Sequence, residues 1–219
     1  MVGGLLDAHL YAAIPEALQY LDRITAWAEA NLDRNNLDVG KGPIEWYTLS
    51  ENLYRAYLVT GNARYRDFGK VWEYTRYWDT FANRGNIFSL TPWFHAYSHV
   101  NTLSGAAMAY QITGESRYLD TIRNAHDFFR HTQCWATGGY GPMELLLLPS
   151  QTANSSLDIL DLWSSHFETQ CGSWAIFKLC KYLIATTGEA RYGDWIEEAL
   201  WNGIGASIPM SASGETQYY

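Results

Sequence analysis

Apolar positions recur at helical spacing in several separate runs along the chain. "ENLYRAYLV" (51–59), "SGAAMAYQI" (104–112) and "FKLCKYLIAT" (177–186) place apolar residues three and four apart. That is the period of an amphipathic helix and not the alternation of a strand. The same octet follows each run: "TGNARYRD" (60–67), "TGESRYLD" (113–120) and "TGEARYGD" (187–194). Gly61, Gly114 and Gly188 suit the left-handed residue that ends a helix, and the next helix starts within a few positions. Tyr65, Tyr118 and Tyr192 are expected to pack at the start of that second helix, with Asp67, Asp120 and Asp194 complementing its N-terminal dipole.

The repeating unit is therefore a helical hairpin. Its spacings, 53 and then 74 residues between the cap glycines, are too irregular for a tight solenoid. They suit a toroid of helix pairs whose long loops feed one rim. The pattern predicts an all-α single domain over 1–219, with helices near 15–34, 46–60, 63–81, 95–113, 116–132, 168–186 and 190–203. Pro15 lies in a first turn, where proline is tolerated. The tail "GASIPMSASGETQYY" reads as the start of an extended segment. About three helix pairs are few to close a toroid, and open apolar faces predict self-association or a missing partner domain.

Composition narrows the partners. Of 219 residues, 47% are apolar and only 17% charged, which provides a large core. A formal charge of −8 argues against nucleic acid and anionic membrane, both of which select basic surfaces. No apolar run approaches the roughly 18 residues of a membrane span, and no basic n-region of a signal peptide is visible. The default expectation for location is thus the cytoplasm. Three widely spaced cysteines do not make a disulfide framework, and point to a reducing compartment or a metal role. Ten Trp, sixteen Tyr and eight Phe suit either sugar faces or core packing.

The longest loop, from Cys134 to about Ser165, holds "TGGYGPMEL". Its glycines allow sharp bends and close approach to a ligand, and Glu144 beside "LLLL" is a candidate general acid, or else a solvated loop glutamate. In "HFETQC", Glu168 and Cys171 stand at i and i+3, a plausible zinc half-site, or else a first-turn glutamate near a small buried hydrophobe. His95 and His99 share a helix face but lack the acid of a metalloprotease motif. Hydrogen bonding of a polar ligand by His99, Asn101 and Thr102 fits better, with satisfied core polar groups as the alternative. Glu45 and Glu51 are weaker candidates, and Cys134 and Cys180 are expected to be core.

Taken in order, "SENLYRAYLVTGNARY", "SHVNTLSGAAMAYQITGESRYLD", "TGGYGPMEL", "FETQCGSWAIFKLCKYLIATTGEARYGDWIEEALWNGIGA" and "GETQYY" resemble glycoside hydrolase family 127, the β-L-arabinofuranosidases. The resemblance spans most of the chain from about Glu45. It implies an (α/α)₆ barrel, normally followed by β-sandwich domains, and hydrolysis of a terminal L-arabinofuranoside or related sugar with retention. It places the general acid/base on Glu144 and the zinc ligands on Glu168 and Cys171. It also implies that His99 and Asn101 line the sugar pocket; Tyr140 and Glu51 are further expected substrate contacts. The family pattern sets glutamate and cysteine two apart, whereas here Gln170 intervenes. Its nucleophilic cysteine belongs to a downstream Cys-Cys pair that these 219 residues do not contain. Alternative readings are a non-catalytic sugar-binding remnant, or an α/α-toroid epimerase or unsaturated-glycan hydrolase working without a thiol.

Overall fold

The computed structural model describes residues 1–34, 45–152, 170–206 and 213. Its helices are α1 (Val2–Ala12), α2 (Glu16–Asn31), α3 (Ser50–Thr60), α4 (Ala63–Val71), α5 (Thr75–Ala82), α6 (Ala96–Asn101), α7 (Leu103–Thr113), α8 (Ser116–Thr132), α9 (Gln170–Thr187) and α10 (Arg191–Glu198). A π-helical stretch, Ala199–Gly205, continues α10. Among the described residues the only strand-like pairing is an isolated antiparallel bridge between His95 and Leu145.

The three octets behave as the pattern predicts. Gly61, Gly114 and Gly188 have φ near +70°, and their N–H groups close the helices onto Tyr57, Tyr110 and Ile184. Tyr65, Tyr118 and Tyr192 are buried at the head of the next helix. The arginine of each octet reaches back to an aspartate on the preceding hairpin: Arg64 to Asp22 at 3.1 Å, Arg117 to Asp79 at 2.9 Å and Arg191 to Asp127 at 3.3 Å. These pairs are part-exposed, so they set the register between neighbours more than they stabilise it.

The hairpins form an arc of two layers. In the inner layer α7 packs on α3 and α9, and α9 also packs on α6. Leu103 to Ala109 of α7 are all buried, as a helix enclosed by neighbours requires. The outer layer holds α4, α5, α8 and α10, and α1 with α2 flanks α3. The main core between the layers contains Trp78, Phe81, Phe129, Tyr192 and Trp195. Burying a ring such as Phe129, 0% exposed, contributes about 3 kcal/mol.

Several predicted elements are corrected. A first helix, α1, lies where none was expected, because "VGGLLDAHLYA" carries two glycines near its start. The span 63–81 is two helices, broken at Trp72–Tyr74, where the chain turns so that Trp72 and Glu73 both point inward. The span 95–113 divides at Thr102, whose hydroxyl donates to the Tyr47 carbonyl at 2.6 Å and accepts from Trp78 Nε1 at 3.2 Å. The run 46–60 opens with a 3₁₀ turn, Trp46–Thr48, before α3. The tail expected to be extended lies, apart from Gly205, Ala206 and Ser213, outside the described residues, and Gly205 ends the π-helical stretch.

Candidate active site

The glycine-bent loop is built to present Glu144. Gly138 has φ +88°, and a Cβ there would stand 2.6 Å from the backbone nitrogen of Ala199, so only glycine fits. Its carbonyl accepts from Trp195 Nε1 at 2.8 Å. The far end is held by Gln133, which exchanges two hydrogen bonds with the backbone of Leu147, at 3.0 and 2.8 Å. Between these anchors Met143 and Glu144 both adopt left-handed backbone, φ +52° and +63°. Each costs a non-glycine residue roughly 1–2 kcal/mol. Strain held on two successive residues marks a position where side-chain direction matters.

The bridge from His95 to Leu145, with the Leu146 N–H donating to the Phe94 carbonyl at 2.9 Å, lays this loop against the head of α6. Glu144 Oε2 then lies 3.5 Å from His95 Nε2, and Glu45 Oε1 lies 3.5 Å from His95 Nδ1. Cys171, in the first turn of α9, is half-buried. Its thiol is pushed above the ordinary range, first by burial, then by the negative charge of Glu144, with Glu45 adding to it. The N–H groups of Cys171 and Gly172 oppose that shift. The loop carboxyl and the thiol therefore share one rim, at the N-terminal ends of the inner helices.

Below the rim α9 carries Cys171, Trp174 and Lys178 on one face, at i, i+3 and i+7. Lys178 Nζ is hydrogen-bonded to Glu51 and, at 2.8 Å, to Asn101 Oδ1. Tyr182 donates to Glu51 Oε1 at 2.9 Å. A cavity of about 400 Å³ is lined by Glu51, Asn101, Trp174 and Lys178 together with α1 and α2. An adjoining one of about 490 Å³ lies between α1, α3 and α9. Neither is lined by Glu144, His95 or Cys171, and the shared face of α9 is what joins cavity to rim.

The expected contacts divide by depth. Asn101 and Glu51 border the cavity. His99, 7% exposed, sits among Tyr47, Tyr77 and Phe94 with ring centroids 4.5–5.4 Å away, and burial pushes its pKa down to about 4. Tyr140 is fully buried, its hydroxyl directed at the carbonyls of Ala96 (3.3 Å) and Gly172 (3.4 Å). It holds the loop and α9 together from behind. Cys180 is core as expected, whereas Cys134 is half-buried beside Arg130 at 3.0 Å. Lys178, Trp174 and His95 in its capping role were not anticipated. The i, i+3, i+7 series from Cys171 is the signal that could have found the first two.

Glu168 lies outside the described residues. Among the described residues no three His, Cys, Asp or Glu side chains come together as a metal site. Of the two expected zinc ligands only Cys171 is among the described residues, short of the four donors a structural zinc takes.

The fold is an arc of α/α-toroid hairpins, with a strained glutamate at one rim and, along α9, a mostly apolar cavity edged by Glu51, Asn101 and Lys178. The chain belongs to the β-L-arabinofuranosidase family, whose GH127 catalytic-domain model matches residues 1–219. Among solved structures it is similar to the GH127 β-arabinofuranosidase BT3674, with a TM-score of 0.68 and 20% identity over 94% of this chain. The match covers 32% of that structure, so the chain spans about a third of its length. No curated protein sequence matches the chain significantly. No described helix is long and apolar enough to cross a membrane.

Proposed function

We propose that this chain forms part of the catalytic domain of a glycosidase that releases terminal L-arabinofuranosyl units, or related sugars of plant-type glycans, with Glu144 as general acid/base. The observation that carries this reading is Glu144 itself: strained backbone, two-ended anchoring of its loop, and a carboxyl at the same rim as Cys171. Glu144 would deliver its proton to the departing glycosidic oxygen and later take one from the incoming water. Retention of configuration would need acid/base and nucleophile about 5–5.5 Å apart across the scissile bond.

The sugar would sit over the cavity. Lys178 occupies Asn101 Oδ1, which leaves the Asn101 amide N–H groups for a sugar hydroxyl, while Glu51 fixes the lysine. The family's zinc would draw on Glu168 and Cys171, with its remaining donors supplied from outside these residues. The chemistry assigned to the described residues is proton transfer alone.

The test is hydrolysis by the whole protein of 4-nitrophenyl β-L-arabinofuranoside and its α-anomer, with the released sugar followed by NMR. Selective cleavage of the β-anomer, giving β-arabinose first, supports the reading. Cleavage of neither anomer, with ordinary binding of arabinose, would replace it with a sugar-binding function.

A further inference from the structure

His95 stands between the rim and the core in a way that fixes where its proton lies. It is the N-cap of α6, and its Nδ1 accepts the backbone N–H of Ser98 at 3.3 Å. A backbone N–H can only donate, so Nδ1 is the unprotonated nitrogen and the ring hydrogen sits on Nε2. Ser98 Oγ, 3.1 Å from the same Nδ1, lies 2.9 Å from the Tyr47 hydroxyl. With its one hydrogen directed at the unprotonated Nδ1, the Ser98 hydroxyl accepts from Tyr47. Donors thus run from Tyr47 to Ser98 to His95 Nδ1, and the Nε2–H emerges on the side of Glu144 Oε2, 3.5 Å away. Glu45, 3.5 Å from Nδ1, faces a lone pair already taken and acts as a neighbouring charge. The backbone is held too, since His99 Nδ1 donates to the His95 carbonyl at 2.9 Å and His95 bridges to Leu145.

We propose that His95 is the positioning residue for Glu144, through an N–H whose tautomer is set by the helix cap behind it. The inference rests on the reading of Glu144 as acid/base. Catalytic hydrogen bonds are often long without substrate and tighten in the complex, and 3.5 Å is within a small side-chain movement of bonding. With Nε2–H on Oε2, the other oxygen, Oε1, is the one that carries the proton. That proton passes to the glycosidic oxygen as the C–O bond breaks and its electron pair goes to the leaving alcohol. The resulting carboxylate is held by His95 until it takes a proton from the attacking water.

Two substitutions separate this role from simple capping. His95→Asn keeps an acceptor where Nδ1 was, and so keeps the cap, but removes the donor toward Glu144. His95→Gln keeps a donor near the Nε2 position and weakens the cap. In the whole protein, His95→Asn is expected to melt with the wild type. Its kcat on methyl β-L-arabinofuranoside should fall about 10- to 100-fold with little change in KM. The loss should be smaller on the 4-nitrophenyl glycoside, and His95→Gln should recover part of kcat. Unchanged kcat in His95→Asn, while Glu144→Gln is inactive on the methyl glycoside, overturns this inference and leaves the acid/base reading standing. Full activity of Glu144→Gln on the methyl glycoside would remove both. Independently of turnover, ¹⁵N NMR should show His95 neutral with the hydrogen on Nε2, and a hydrogen on Nδ1 overturns the proposal.

Discussion

Lys178, in the middle of α9, donates to the carboxylate of Glu51 in the first turn of α3, joining two inner helices 127 residues apart in sequence. Glu51 is buried and Lys178 mostly so, at 7% and 16% exposure. Desolvation lowers the lysine's pKa, and the Glu51 charge opposes that shift. Removing one partner strands the other. Lys178→Met should cost about 3–5 kcal/mol in urea unfolding, and adding Glu51→Leu should recover part of it. A single variant as stable as wild type would show that the pair does not hold the inner layer.

Gly138 fixes the loop from the other side. Gly138→Ala introduces a Cβ at 2.6 Å from the Ala199 backbone on a left-handed residue. The expected loss is about 2–3 kcal/mol, combining overpacking with strain. Proteolysis should sharpen within 135–148 as the loop detaches. A melting temperature equal to wild type with the loop still protected would contradict the packing described.

His99 gives stability a pH dependence of known sign. Its folded pKa of about 4 lies below its ordinary value of 6.5. The unfolded chain therefore binds the proton first, and the contribution is complete above 6.5 and lost as pH falls toward 4. Between pH 7 and 4.5 this amounts to about 2 kcal/mol. His99→Asn should shrink the difference in unfolding free energy between those two pH values by that amount, whatever its absolute stability. An unchanged difference would place the ring in water.

The hairpins were legible because each octet joins a cap glycine to an inward tyrosine, and both requirements are local. The bend before Glu144 was legible because sharp turns need glycine and three of them crowd there. Lys178 was not, since "AIFKLCKYL" reads as an apolar stripe with a solvated lysine, and its partner lies on another hairpin. The breaks at Trp72–Tyr74 and Thr102 escaped notice for a similar reason. Glu73 is held by the hydroxyls of Tyr54 and Tyr118, and Thr102 by the backbone of Tyr47, contacts made only after folding. The pairing of Glu168 with Cys171 turns on Glu168, which lies outside the described residues.

The most direct measurement is kcat of Glu144→Gln in the whole protein on two β-L-arabinofuranosides that differ only in leaving group. A proton donor is indispensable to a departing methoxide and far less so to 4-nitrophenolate. The account predicts a fall of about 10²–10⁴-fold on the methyl glycoside and a much smaller one on the nitrophenyl glycoside. Equal losses on both, or none on either, would contradict it.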